Sequence, residues 1–248
     1  MARTLLIRGM VVGALAGVLA LIFARVFGEP AVSSAIALES ARAQAAGLIP
    51  GPELVSRRIQ STLGLGTAVV VFGVTVGGLF ALVYAVAQGR MGPLGARATA
   101  AVVAAVGFVS AVLVPFLKYP ANPPSVGHPD TIGHRSGLYF TLLVASVLLA
   151  TAAVYLGRRL VPRLGGWDAC IVAAAAYVAA VAIAAALLPG VHEVPPGFPA
   201  DLLWRFRVAS LGTQAVLWTS IGLLFGALTE RGLRRSATEE SSVPVATP

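Results

Sequence analysis

The sequence predicts an all-α fold: a polytopic membrane helix bundle with about six transmembrane helices, N-in and C-in. Three observations predict it. Of 248 residues, 57% are hydrophobic and only 11% charged, where a soluble domain carries about 25% charged residues. The mean hydropathy is +0.86. Six apolar stretches have the length, about 20 residues, that a helix needs to cross the hydrocarbon core. The single Cys170 excludes a disulfide scaffold. About half the chain lies in these stretches, which leaves no room for a soluble catalytic domain, so the chain does not read as an enzyme. The formal charge of +8 would suggest nucleic acid in a soluble protein; in one this apolar it records membrane orientation, and no nucleic-acid partner is expected.

The first span covers residues 9–27, after Arg3 and Arg8. It is long for a signal-peptide core and lacks a small-x-small cleavage site, so it reads as a retained helix. Gly9, Gly13 and Gly17 form a ridge that lets a neighbouring backbone approach closely, and Gly73/Gly77 and Gly222/Gly226 repeat the spacing. A tight bundle follows. Residues 31–46 are expected to form a short interfacial helix bounded by Glu29-Pro30 and by Gly47 onward. The next spans cover 63–87, 99–116, 138–156, 169–188 and 208–228. Residues 1–235 read as a single transmembrane domain, and the polar stretch 236–248 as a disordered cytoplasmic tail.

Short-loop Lys and Arg set the orientation. With the N-terminus inside, ten basic residues fall inside (among them Arg8, Arg97, Arg231 and Arg234) and seven outside. All three histidines and six of the ten acids fall outside. The metal-ligand residue types are therefore gathered on the face where an imported cation would arrive.

The loop after the third span holds His128, Asp130 and His134 behind a run of prolines that precludes regular helix. The last outer loop adds His192 and Glu193. Imidazole and carboxylate suit divalent first-row metals, without the thiolates that favour Cu(I). The competing reading leaves these side chains solvated, with His134 capping the fourth helix. Asp201 is expected to cap the helix beginning near Leu202 and to pair with Arg205 at i,i+4; it is a lesser ligand candidate. Glu29, at the mouth of the first span, either guides a cation or is a helix-end charge. Arg57, Arg58, Arg205 and Arg207 run against the positive-inside trend and are expected to hold outer carboxylates as ion pairs, or else to meet lipid phosphate. A Glu53…Arg57-Arg58…Leu65-Gly66-Thr67 order, echoed by Asp201…Arg205…Arg207…Leu211-Gly212-Thr213, is a weak repeat. There is no phosphate-binding GxxxxGK[ST] loop, no HExxH and no GxSxG.

Ordered blocks run nearly the whole chain: Gly28-Glu29-Pro30, Ala35-Ile36-Ala37-Leu38-Glu39, Ser56-Arg57-Arg58, Gly77-Gly78-Leu79-Phe80, the stretch from Val114 through Lys118 and Tyr119 to Pro124, Asp130-Thr131-Ile132-Gly133, and the stretch from Gly197 to Gln214. On these blocks the sequence resembles the CbtA family of probable cobalt transporter subunits. The resemblance implies cobalt uptake for vitamin B12 synthesis, with a small one-span CbtB partner carrying a histidine-rich tail. It also implies five spans, against the six counted from hydropathy. Lys118, Asp130, Asp201, Arg205 and Arg207 fall within its blocks, which points to the outer face as the working surface.

The resulting expectation is a multi-pass inner (plasma) membrane subunit that binds a divalent cation, Co²⁺, at outer loops and passes it inward, with no permanently bound cofactor. His128, Asp130, His134 and His192 are the capture candidates; Glu29, Glu193 and Asp201 are secondary. The alternative is a non-transporting membrane scaffold for the histidine-tailed partner. Association with the lipid bilayer is expected, and a homo-oligomer is left open.

Overall fold

A computed structural model of the chain describes residues 2–47 and 55–241, and no strand occurs among them. Five helical stretches are long and apolar enough to cross a membrane: Arg3–Ala45, Arg57–Ala87, Ala96–Lys118, Pro129–Leu187 and Ala200–Arg235. The helices are α1 (Ala2–Phe23), α2 (Glu29–Ala45), α3 (Arg57–Ile59), α4 (Leu65–Ala87), α5 (Ala96–Phe108), α6 (Val114–Lys118), α7 (Ile132–Leu187) and α8 (Ala200–Ser241). Glu53, the first residue of the suggested repeat, lies outside the described residues.

The expected break at Glu29-Pro30 does not occur. A π-helical turn, Ala24–Gly28, joins α1 to α2, and another, Val109–Leu113, joins α5 to α6. Each ends two residues before a proline, Pro30 or Pro115. A proline ring crowds the carbonyl four residues back and offers no N–H; those carbonyls, of Val26 and Ala111, lie inside the wider π turns, which absorb the misfit without ending the helix. The other boundary of the expected interfacial helix holds, because the chain turns at Gly47 with φ +68°. At the far end α8 runs through Ser241. The first part of the stretch read as a disordered tail is thus helical, and residues 242–248 lie outside the described residues.

α7 is two helices. Gly165 has φ 77° and ψ 170° inside it, a conformation that glycine tolerates and other residues rarely adopt. The limbs on either side run antiparallel. Ser146 Oγ and Tyr177 OH are hydrogen-bonded at 2.8 Å. Tyr177, Val181 and Ala184 of the second limb pack against the cluster that holds the fully buried Leu142 of the first. Nearer the turn, a Cβ on Gly157 would sit 3.2 Å from that of Ala173. Residue numbers rise on one limb as they fall on the other.

The described residues divide into two compact units interleaved along the chain. The first comprises residues 1–22, 55–105 and 215–248. In lipid the hydrophobic effect does not draw helices together, so close packing must. The glycine ridges supply it: Cβ atoms built on Gly9 and Gly13 would collide with the carbonyls of Gly77 and Gly73. On α8, Gly222 and Gly226 lie against the Cβ atoms of Ala104 and Ala100 of α5. Around these contacts Val12, Ala16, Phe80, Tyr84, Ile221 and Phe225 form a closed core. At one end of this unit Arg8 donates to the buried Thr229 Oγ1 at 3.1 Å, and Arg97 and Arg234 pair with Glu230. Arg8, Arg97 and Arg234 are thereby gathered at the end that orientation counting assigns inside.

Candidate functional site

The second unit, residues 23–54 and 106–214, holds every candidate ligand on the expected outer face. Its loops are tied together from both sides. α2 presents Ala31 and Ala35 to Val126 of the third-span loop and to Phe198 and Leu202 of the last loop and α8, all buried. Arg42 Nη2 donates to the Gly197 carbonyl at 3.0 Å. Tyr119, buried at the end of α6, donates its hydroxyl to the Pro189 carbonyl at 2.8 Å, and burial pushes its pKa above the usual value.

Glu193 is the centre of the loop cluster. Its Oε2 accepts from the His128 amide at 3.1 Å and from Thr131 Oγ1 at 2.9 Å, and lies 3.3 Å from Arg135 Nε. Arg135 Nη2 also donates to the His128 carbonyl at 3.2 Å. Burial alone would raise the Glu193 pKa, but the hydrogen bonds from Thr131 and the His128 amide, with the Arg135 and His128 charges, hold it below the usual 4.5. A carboxylate so engaged clasps one loop to the other. The clasp depends on Arg135 and Thr131, neither of which stands out in the sequence: Thr131 and Glu193 are 62 positions apart.

The remaining candidates are more open. His128 precedes the 3₁₀ turn Pro129–Thr131, Asp130 sits within it, and His134 is in the first turn of α7; all three side chains are exposed. His192 is exposed, with its ring against Gly190. Glu29 opens α2 and accepts from Ser33 Oγ. Asp201 accepts from Arg205 Nη2 at 3.0 Å, as the i,i+4 spacing predicts. Lys118 is in the last turn of α6, and Arg57 and Arg58 form the single turn of α3. Among the described residues no three His, Cys, Asp or Glu side chains are grouped closely enough to hold a metal ion. Arg207 departs from the ion-pair expectation. Its Nε donates to the Ala121 carbonyl at 3.3 Å and its Nη2 to Asn122 Oδ1 at 2.9 Å, both neutral acceptors.

Beside the clasp lies a cavity of about 590 Å³, lined on its polar side by Asn122, Arg135, Tyr139, Glu193, Arg207 and Gln214. Phe116, Ile132 and Phe140 give it apolar walls. None of His128, Asp130, His134, His192 or Asp201 lines it.

Long apolar helices and glycine-mediated packing define a helical membrane protein. The chain belongs to the CbtA family, described as probable cobalt transporter subunits, whose model matches residues 2–230. No curated protein and no solved structure matches it. Membership supports the resemblance read from the sequence blocks and carries with it the membrane, transport and cobalt assignments, with cobalamin synthesis implied by the family.

Proposed function

We propose that the chain is the inner-membrane subunit of an uptake system for Co²⁺, which it receives at its outer loops and passes inward. The observation that carries the reading is the family match over residues 2–230. Residues 1–235 act as one transmembrane domain that crosses six times, N-in and C-in. The antiparallel limbs of α7 support six, because each is long enough to span the core at 1.5 Å per residue. Five apolar stretches accommodate six crossings because Pro129–Leu187 holds both limbs. The gathering of Arg8, Arg97 and Arg234 at one end of the first unit supports the orientation.

His128, Asp130, His134 and His192 are the capture set, with Glu29, Glu193 and Asp201 secondary. The exposure of the four in the capture set suits brief capture of a hydrated ion, and the histidine-rich tail of a one-span CbtB-like partner would complete the ligand shell. Transport makes and breaks only coordination bonds, so the role is non-enzymatic and needs no resident cofactor. Affinity alone would favour Ni²⁺ or Cu²⁺ over Co²⁺, so the partner supplies selectivity. Replacing His128, His134 and His192 together by Ala should lower radiolabelled cobalt uptake at least about tenfold with membrane protein levels unchanged. Unchanged uptake would refute the capture set.

The scaffold reading has one observation in its favour: Glu193 is engaged by Arg135 and Thr131 and so acts in structure. Cobalt flux through liposomes holding this chain alone would exclude it; flux only when the partner is added would favour it.

A further inference from the structure

We infer that the cavity beside the Glu193 clasp is a site for an oxyanion that carries a neighbouring hydroxyl, not for a bare metal cation. Its lining holds three charged residues, Arg135, Arg207 and Glu193. The carboxylate is engaged by Arg135, the His128 amide and Thr131, which leaves one guanidinium in excess. That guanidinium is Arg207, whose hydrogen bonds among the described residues go to the Ala121 carbonyl and Asn122 Oδ1. Among the described residues no carboxylate pairs with it. Two neutral acceptors hold the side-on pair, Nε and one N–H of Nη2, which leaves Nη1 and the second N–H of Nη2 as an end-on fork for a ligand. A divalent cation in this cavity would meet net positive charge and no unengaged carboxylate or imidazole; a carboxylate or phosphate would meet a fixed guanidinium fork beside apolar walls.

The second half of the inference comes from Gln214. Arg207, Ser210, Leu211 and Gln214 all line the cavity, at the i, i+3, i+4 and i+7 positions that share one helix face. Gln214 Oε1 is buried with no hydrogen-bond partner, a state that is costly unless something donates to it. A ligand that offers an acceptor to Arg207 and a hydroxyl donor to Gln214 satisfies both groups. Two chemistries meet that description: a soluble hydroxycarboxylate, which is also a chelator able to bring a divalent ion as an anionic complex, and the phosphoglycerol headgroup of an anionic lipid. The inference stands on the cavity and holds whichever metal is carried.

The test uses the unaltered full chain, purified in an uncharged detergent. Phenylglyoxal modification of individual arginines is followed by mass spectrometry, with citrate, with tricarballylate (citrate without its hydroxyl), with cobalt chloride, and in nanodiscs with or without phosphatidylglycerol. Citrate or phosphatidylglycerol should slow modification of Arg207 about tenfold, as expected for a bidentate guanidinium contact, and leave the Asp201-paired Arg205 unchanged. Protection by citrate identifies the soluble source; protection only in phosphatidylglycerol discs identifies the lipid. Tricarballylate matching citrate would overturn the hydroxyl contact to Gln214. Protection by neither ligand, equal protection of Arg205, or protection by cobalt chloride alone would overturn the site. In Arg207→Gln, saturable citrate binding by thermal shift should be lost; Arg207→Lys, which keeps the charge without the fork, should bind more weakly but still bind.

Discussion

Gly77→Leu is expected to abolish accumulation of the folded protein, the largest effect of any single substitution considered. Gly77 lies where α4 crosses α1, and a Cβ there would collide with the Gly9 carbonyl and come within 2.7 Å of Gly13 Cα. The obstructing atoms are backbone, so no rotamer change relieves them. Overpacking a core costs about 1–3 kcal/mol where side chains can yield; here even Gly77→Ala should reach about 3 kcal/mol or more, because relief requires the helices to separate. Separation forfeits the close contact that association in lipid depends on. The check is the monodisperse fraction in size-exclusion chromatography together with the thermal midpoint. Gly28→Ala is the control, because nothing lies within 4 Å of a Cβ at Gly28. A wild-type midpoint for Gly77→Leu would contradict the packing described.

Glu193→Gln is expected to release the two Pro-rich loops from each other, with roughly tenfold faster proteolysis of the segment 120–131. The neutral amide keeps the shape but loses the charge that Arg135 faces at 3.3 Å. The same clasp makes the loops sensitive to acid. Because the folded-state pKa of Glu193 lies below the usual 4.5, its stabilising effect is complete above that value and is lost as pH falls through the lower folded value. Wild-type protein should therefore become more susceptible to an acid-active protease as pH drops below about 4.5, whereas Glu193→Gln should show no matching step. Identical pH profiles for the two proteins would remove Glu193 from this role.

Some of this was legible in the sequence because it is local. Four-residue glycine spacing already encodes the close α1–α4 and α5–α8 contacts, and the hydropathy gap around Gly165-Gly166 marks the turn that divides α7. The Asp201–Arg205 pair likewise follows from helical spacing. Pro30 misled because a proline usually ends a helix, whereas a π turn placed just before it lets α1 continue into α2. The loop chemistry was least legible. Which of His192, Glu193 and Asp201 meets the other loop depends on contacts across about sixty residues, and no periodicity records them. Residue type alone offered Glu193 as a ligand; its contacts with Thr131 and Arg135 are not written in that residue type. Arg207 fits an ion-pair role by composition, but Asn122 and Ala121 give it neutral partners.

The function proposed for this CbtA-family chain is inward passage of cobalt. Its most direct test is accumulation of radiolabelled Co²⁺ in proteoliposomes holding the chain together with its one-span partner. Saturable accumulation that requires this chain, and that falls when the three histidines are replaced, is the predicted result. Equal accumulation in liposomes holding the partner alone would contradict it.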